Sequence, residues 1–290
     1  MDKDGWRDSS SRSVNGTQFW IGGGCCAALR GPMSTLSWNC RRLRNRPTVL
    51  ALKRALRVEA PKFVFLIETK LSSDSMNLLK TKLGYSQGIA VSSVDSSGRL
   101  ALPWKPESTM EIKWISRWYI DAVVDSDSNG DIWRLTSFYG HLETSKQEET
   151  WQILESLSHF SALPWLYIGD FNEISSAIEK EGGNIRLARQ MTWFCDVIHY
   201  YGFHDLGFHG VPYNWFKNQP SLQIRLDIAL VNHAWKSKFI GVEVHHVNMS
   251  TLGHYCWHLG YLKKRRSEIV EGRSCLDLRL CGCVIHSVTR

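Results

Sequence analysis

The sequence has no C-x-x-C pair, and no His pair stands where it would complete a zinc spacing, so its eight Cys read as free thiols rather than a metal framework. It has no G-x-G-x-x-G and no P-loop, which removes the two commonest nucleotide-cradling designs. The opening stretch "MDKDGWRDSSSRSVNGTQ" lacks the basic-then-apolar order of a secretory signal, so the expected location is nucleus or cytoplasm and not the secretory route. The best apolar run near it, "FWIGGGCCAAL", is too short and too Gly-rich to span a bilayer, and no membrane partner is expected. No internal repeat emerges: the 13 Trp are scattered, and each reads first as a core anchor.

What is present is a chain of 290 residues, 43% of them hydrophobic, enough for a substantial core in one large domain or two small ones. The formal charge of +7 suits an anionic partner such as nucleic acid, and is also ordinary for a soluble protein. Basic residues cluster in "CRRLRNRP" (40–47) and "KKRRSE" (263–268), each of which reads as a solvated face or as a phosphate contact. His245, His246, His254 and His258 gather late in the chain, where a strand-like setting makes most of them structural.

Residues 1–32 are rich in Ser, Gly and Asn with no apolar period and read as a flexible leader closed by Pro32. From Met33 the strand "STLSWNC", a helix carrying Val49, Leu52, Ala55 and Leu56 at helical spacing, and the strand "KFVFLIET" form a β-α-β unit that ends on Glu68. Five short strand-like runs follow between 88 and 140 and predict an antiparallel meander. Pro103, inside one of them, predicts an edge strand or a bulge. Amphipathic helices are expected in "SKQEETWQILESLSHF" and in "ARQMTWFCDVIHYYG", the latter closed by Gly202, with late strands in "IRLDIALVN" and "VEVHHVNM". The apolar rhythm stops after Tyr261, and 263–290 reads as a weakly structured tail. This order predicts an α/β fold of two packed mixed sheets flanked by helices, with the domain spanning 33–262.

Asn39, Glu68, Asp170 with Asn172, and Asp227 all fall at strand ends or strand-to-loop junctions, where oxygen-bearing side chains converge to hold a hard cation and activate water. Taken singly each has a plainer reading, since "GDFN" is also a strand closed by an Asx turn. Two residues apart on an extended segment, Asp170 and Asn172 are expected to face one phosphate together.

The ordered motifs "SWNCR", "FLIETK", "SFYG", "YIGDFNE", "YNWF", "RLDIAL" and a closing His254 resemble the endonuclease/exonuclease/phosphatase, or DNase-I-like, superfamily. Within it they are most similar to the endonuclease domain of plant non-LTR (LINE-type) retrotransposons, and the resemblance runs from Met33 to Leu262. It implies a four-layered α/β sandwich and a Mg²⁺-dependent phosphodiesterase, with Mn²⁺ as a substitute, acting on DNA. Glu68 and Asn39 are then the metal residues. Asp170 orients or deprotonates water, Asn172 contacts the phosphate, Tyr139 offers its hydroxyl to the phosphate or the leaving group, and His254 with Asp227 as its partner completes the catalytic set. Trp215 and Arg42 become substrate contacts, with core packing the plain alternative for Tyr139 and Trp215.

The chain departs from this pattern where the family closes on Ser-Asp-His and Leu252, Gly253 and His254 stand instead. Loss of such a carboxylate costs roughly 10- to 100-fold in metal affinity or activity. Arg42 and Arg44 also replace two glycines of the family turn, which predicts strain at Arg42 if its φ is positive. Two further readings therefore stand beside the hydrolase: a degenerate domain that keeps the fold and nucleic-acid binding, and an enzyme acting on a small phosphate ester.

Overall fold

The computed structural model describes residues 34–41, 43–91, 100–126, 131–159, 162–217, 221–248 and 258–264, with backbone only for 126, 247–248 and 258–264. Its first half runs β1 (Thr35–Asn39), α1 (Arg46–Glu59), β2 (Phe63–Ile67), α2 (Ser73–Lys82), β3 (Gln87–Val91), β4 (Leu100–Trp104), β5 (Thr109–Ile115), β6 (Tyr119–Ser126) and β7 (Asp131–Tyr139). Next come α3 (Gln147–Ser158), β8 (Trp165–Asp170), β9 (Lys180–Gly182), α4 (Ala188–Tyr200), β10 (Phe203–Asp205), β11 (His209–Gly210), β12 (Trp215–Lys217) and β13 (Leu222–Ile224). β14 (Asp227–Asn232), α5 (His233–Lys238), β15 (Val242–Asn248) and β16 (His258–Lys264) complete the order.

The strands form a seven-stranded sheet, β11-β15-β16-β1-β2-β4-β3, a six-stranded sheet, β10-β14-β8-β7-β6-β5, and a small sheet, β12-β13-β9. Both large sheets are mixed, with β1 parallel to β2 in one and β7 parallel to β8 in the other. Strand periodicity decides how they pack. On β2, Phe63, Phe65 and Ile67 enter the core between the sheets, while Val64 and Leu66 face outward against Leu52 and Ala55 of α1 and Met76 of α2. On β8, Leu166 and Ile168 face inward, while Trp165 and Tyr167 meet Trp151 and Leu154 of α3 and Phe194 of α4. Helix, sheet, sheet, helix is thus the layer order, the four-layered sandwich expected.

Several details depart from the sequence reading. The five runs do not make one meander: β3 and β4 join the seven-stranded sheet, and β5, β6 and β7 the six-stranded one, with the chain changing sheets at the turn closed by Ser108 N donating to Lys105 O at 3.1 Å. Pro103 sits on β4, an inner strand, and not at an edge. Its missing N–H is absorbed where the β2–β4 ladder skips from Phe63↔Trp104 to Leu66↔Ala101, and on its other side Gly88 lets β3 close in, since a Cβ there would lie 2.8 Å from the Pro103 Cα. The sequence reading passed over α2, whose Ser72 cap accepts from Ser75 N at 3.3 Å, because only Met76 of that helix is buried. It also missed α5, capped by Asn232 at the end of β14, which drives Trp235 into the central core. β16 pairs antiparallel with both β1 and β15 and carries that pairing through Lys263 and Lys264, beyond the point where the apolar rhythm stops. Gly202 closes α4 as predicted, its N–H bonded to His199 O at 3.0 Å.

Candidate active site

The polar residues picked out at strand ends finish the inward-facing rows of the two sheets. Asp170 continues the row Leu166, Ile168; Asp227 begins the row Ala229, Val231; Tyr139 ends the row of Trp133 and Leu135. These three are register partners on adjacent strands, Tyr139 opposite Asp170 and Asp170 opposite Asp227. From the facing sheet, Asn39 ends the row Thr35, Ser37, because Leu36 and Trp38 are turned outward onto α1. Glu68 follows β2 directly, turned by a φ of +53°.

Two hydrogen bonds join the sheets at this rim. Asn39 Nδ2 donates to Asp170 Oδ2 at 2.9 Å, and the Tyr139 hydroxyl donates to Glu68 Oε1 at 2.6 Å. Beyond Asp170 the chain makes an Asx turn, with Asn172 N donating to Asp170 Oδ1 at 3.0 Å. The expectation of an extended Asp170–Asn172 segment is thereby corrected: Asn172 has φ +54°, and its side chain is aimed by that turn and by Nδ2 donating to Gly140 O at 2.7 Å. Gly140 permits the approach, since a Cβ there would come 2.3 Å from the Phe171 carbonyl oxygen. Arg41, Glu68 and Asn172 are all non-glycine residues in the left-handed region, which concentrates backbone strain at this rim.

Electrostatics follow from burial. Asp170 is pushed up to about 6, first by burial and further by Glu68, while the Asn39 and Asn172 donors and Arg41 pull it back. Burial, then the neighbouring Asp170, raises Asp227 well above the usual carboxylate range. The Tyr139 hydroxyl is raised by burial and by Glu68, so it stays protonated as a donor. Asn39 Oδ1 and Asp227 Oδ1 are buried oxygens with no hydrogen-bond partner among the described residues. Such orphaned acceptors beside two further carboxylates fit a hard cation that keeps several waters. An all-protein cage does not form: among the described residues no group of three or more His, Cys, Asp and Glu is arranged to hold a metal.

Two residues that sequence reasoning passed over complete the geometry. Asn214 Oδ1 accepts from Leu226 N at 2.7 Å and Asp227 N at 3.1 Å, and its Nδ2 donates to Asp227 O at 2.9 Å, so it fixes the backbone that carries Asp227. It directly precedes Trp215 in "YNWF". Arg41, in the "CRRLRNRP" cluster, has a positive φ, and its guanidinium lies 5.1 Å from the Trp215 ring centroid. Trp215 is half-buried against the satellite cluster of Ile174, Ile224 and Leu226, so it is both core edge and rim. His246 is structural, stacked on Phe208 at 4.5 Å with Nδ1 2.8 Å from Val211 O. Arg42, Gly253, His254, the segment 1–33 and the segment 265–290 lie outside the described residues.

Two mixed sheets face to face, helices outside and a polar rim at the strand ends define the DNase-I-like α/β sandwich. The chain belongs to the Endonuclease/Exonuclease/phosphatase family, whose model matches residues 36–257. Among solved structures it is similar to the endonuclease domain of TRAS1, a telomere-specific non-LTR retrotransposon, at 13% identity and a TM-score of 0.60, covering 82% of this chain and 100% of that one. It is similar to an AP endonuclease from Archaeoglobus fulgidus at 14% identity and a TM-score of 0.61, covering 80% and 99%. The 3' phosphatase NExo from Neisseria bound to a product DNA hairpin matches at 17% identity and a TM-score of 0.57, covering 80% and 99%. Among curated proteins no sequence matches it. No helix among the described residues is long and apolar enough to cross a membrane.

Proposed function

We propose that the chain is a divalent-cation-dependent phosphodiesterase that cleaves phosphodiester bonds in DNA. The observation that carries this reading is the pair of bonds Asn39 to Asp170 and Tyr139 to Glu68, which draw the strand ends of two sheets into one polar rim. Membership of a nuclease and phosphatase family supports the reaction class, and the endonucleases among the similar structures support nucleic acid as substrate.

In this reading Glu68 and the orphaned Asn39 oxygen hold Mg²⁺ or Mn²⁺. When bound, the cation supplies positive charge that stabilises the phosphoryl oxygens and favours hydroxide over water. The remaining work falls to the chain. A carboxyl raised toward neutrality is suited to take a proton near physiological pH, and Asp170 is the residue in that state, holding the attacking water and accepting its proton. The Asn172 amide has one hydrogen committed to Gly140 O and a second for a non-bridging phosphate oxygen, where it stabilises charge developed in the transition state. Tyr139 keeps its proton and holds Glu68 in place. Asp227, fixed by Asn214, serves as the partner of His254.

Gly253, where the family carries Asp, favours a second reading, a degenerate domain that binds without cleaving. Nicking of supercoiled plasmid in Mg²⁺ and in chelator separates the two. The hydrolase reading expects nicking by the native chain in Mg²⁺ only, lowered at least ~100-fold in Asp170→Ala. Nicking gained only in Gly253→Asp supports the degenerate domain.

A further inference from the structure

Outside the polar rim, between α3 and α4, lies a cavity of about 390 Å³. From α3 it is lined by Gln147 and Trp151, one turn apart on one face, and from α4 by Arg189 and Trp193 at the same spacing. Gln147 and Trp151 are only 3% and 5% exposed, yet each keeps a polar atom with no hydrogen-bond partner among the described residues, Gln147 Oε1 and Trp151 Nε1. Both side chains are held in place. The Gln147 amide nitrogen donates to His141 O at 2.7 Å and to Asn172 O at 3.3 Å, which leaves its oxygen as the unused acceptor. The Trp151 ring is stacked on Phe194, with centroids 4.9 Å apart and planes at 22°, which leaves its N–H edge as the unused donor. Trp193, the residue before Phe194, is 41% exposed.

A buried donor and a buried acceptor left unpaired are costly, so a cavity lined by one of each calls for an occupant. Its volume is near the lower end of ligand sites, which run from roughly 300 to 1,000 Å³. The charges around it cancel: Glu173 is paired with Arg186 at 2.9 Å, and Glu148 and Arg189 bring one charge of each sign. An anionic group therefore gains little there. A donor, an acceptor and an exposed indole suit a flat, uncharged heterocycle with both hydrogen-bonding functions on its edge, which is the chemistry of a nucleobase. Resting on the nucleic-acid part of the reading above, we propose that the cavity between α3 and α4 is a nucleobase pocket. Trp151 Nε1 donates to a ring nitrogen or carbonyl oxygen of the base, Gln147 Oε1 accepts from its N–H, and Trp193 supplies a stacking face. Asn172 links pocket and rim, since Gln147 holds its carbonyl and the adjacent Glu173 lines the cavity.

The test is binding by the full chain in chelator. One arm follows free deoxynucleosides by saturation-transfer NMR. The other follows a short single-stranded DNA by anisotropy, against an abasic strand of the same length, so that the ratio of the affinities isolates what the bases contribute. Trp193→Ala, at the surface, is expected to lower base-dependent affinity at least about fivefold for every base, the loss of one stacking face. Trp151→Phe keeps the ring and removes the N–H, and is expected to lower affinity about two- to tenfold and unequally among the bases, because the lost bond read their edges. A response of the nucleoside arm to these variants assigns the pocket to a free ligand, and a response of the strand arm alone assigns it to a base presented by nucleic acid; either carries the proposal. Nucleoside binding and a strand ratio that both variants leave unchanged overturn it, and the two unpartnered atoms are then served by water alone. Plasmid nicking in Mg²⁺ reads the parent reading separately: absent nicking with variant-sensitive base binding retires the hydrolase and keeps the pocket, whereas nicking with variant-insensitive base binding does the reverse.

Discussion

Asn39 and Asp170 are separated by 131 positions in sequence, yet the amide of one donates to the carboxylate of the other across 2.9 Å in a buried setting. The bond joins the end of β1 in one sheet to the end of β8 in the other, so the packing of the two sheets and the assembly of the rim are one event. Removing the amide has a signed consequence for titration. Burial raises the Asp170 carboxyl to about 6 and Asn39 opposes that rise, so Asn39→Ala moves it higher. The acid limb of the pH–rate profile for plasmid nicking is expected to shift upward by about one pH unit, the equivalent of one charge-assisted hydrogen bond. An unmoved limb would separate Asp170 from the proton transfer assigned to it.

The Asp170–Asp227 pair trades stability for chemistry. Both carboxyls hold their protons more tightly in the folded chain than an unfolded Asp, which titrates near ~3.9. The folded state therefore binds more protons, and the stability they contribute is complete below that value and lost as pH rises through about 6 and beyond. Asp227→Asn removes one of the two charges. In chelator at about pH 7.5 its melting temperature is expected to rise by roughly 3–6 °C, and the gain to vanish near about pH 4, where Asp170 in both proteins and Asp227 in the native chain hold their protons in the folded state. Thermal unfolding followed by circular dichroism at the two pH values checks it.

Under α3, Arg134 and Asp121 form a fully buried ion pair, with Nε 2.9 Å from Oδ1, Nη1 donating to Leu157 O at 2.7 Å, and the guanidinium 4.1 Å from the Trp165 ring. Cutting one partner leaves an uncompensated charge. Asp121→Ala is expected to cost about 3–5 kcal/mol in urea unfolding, whereas an exposed pair such as Lys146–Glu143 is worth less than about 1 kcal/mol. Equal effects at the two places would contradict the burial assigned to Arg134.

Asn214 holds two backbone N–H groups and one carbonyl around Asp227. Asn214→Ala leaves buried donors unpaired, at about 1–3 kcal/mol. Because it acts on the position of Asp227 and not on substrate, kcat is expected to fall with KM little changed, while Asn214→Asp, which keeps the acceptor oxygen, recovers part of kcat. Steady-state nicking of a short DNA separates the two constants. A rise in KM alone would place Asn214 on the substrate side instead.

The alternation in "FVFLI" and "WLYIGD" and the spacing in "RPTVLALKRALRVE" were legible because burial on one face imposes a period on sequence. Polar residues breaking those rows at Asn39, Asp170 and Asp227 marked the rim for the same reason. α2 left almost no trace, since a helix that buries only Met76 has little period to show. Pro103 misled because its tolerance inside β4 depends on Gly88 across the ladder, a pairing no local window contains. Arg41 and Asn214 escaped notice for a related reason. Their meaning lies in contacts with Trp215 and Asp227, which depend on tertiary pairing, and Arg41 sits among basic neighbours that look alike in sequence.

The central claim is that oxygen-bearing strand ends of two sheets form one cation centre. Anomalous diffraction from crystals of the native chain soaked in Mn²⁺ tests it most directly. The account predicts a peak beside the Glu68 carboxylate and Asn39 side chain that disappears in Glu68→Gln. No peak at that rim at saturating Mn²⁺, or one that survives Glu68→Gln unchanged, would contradict it.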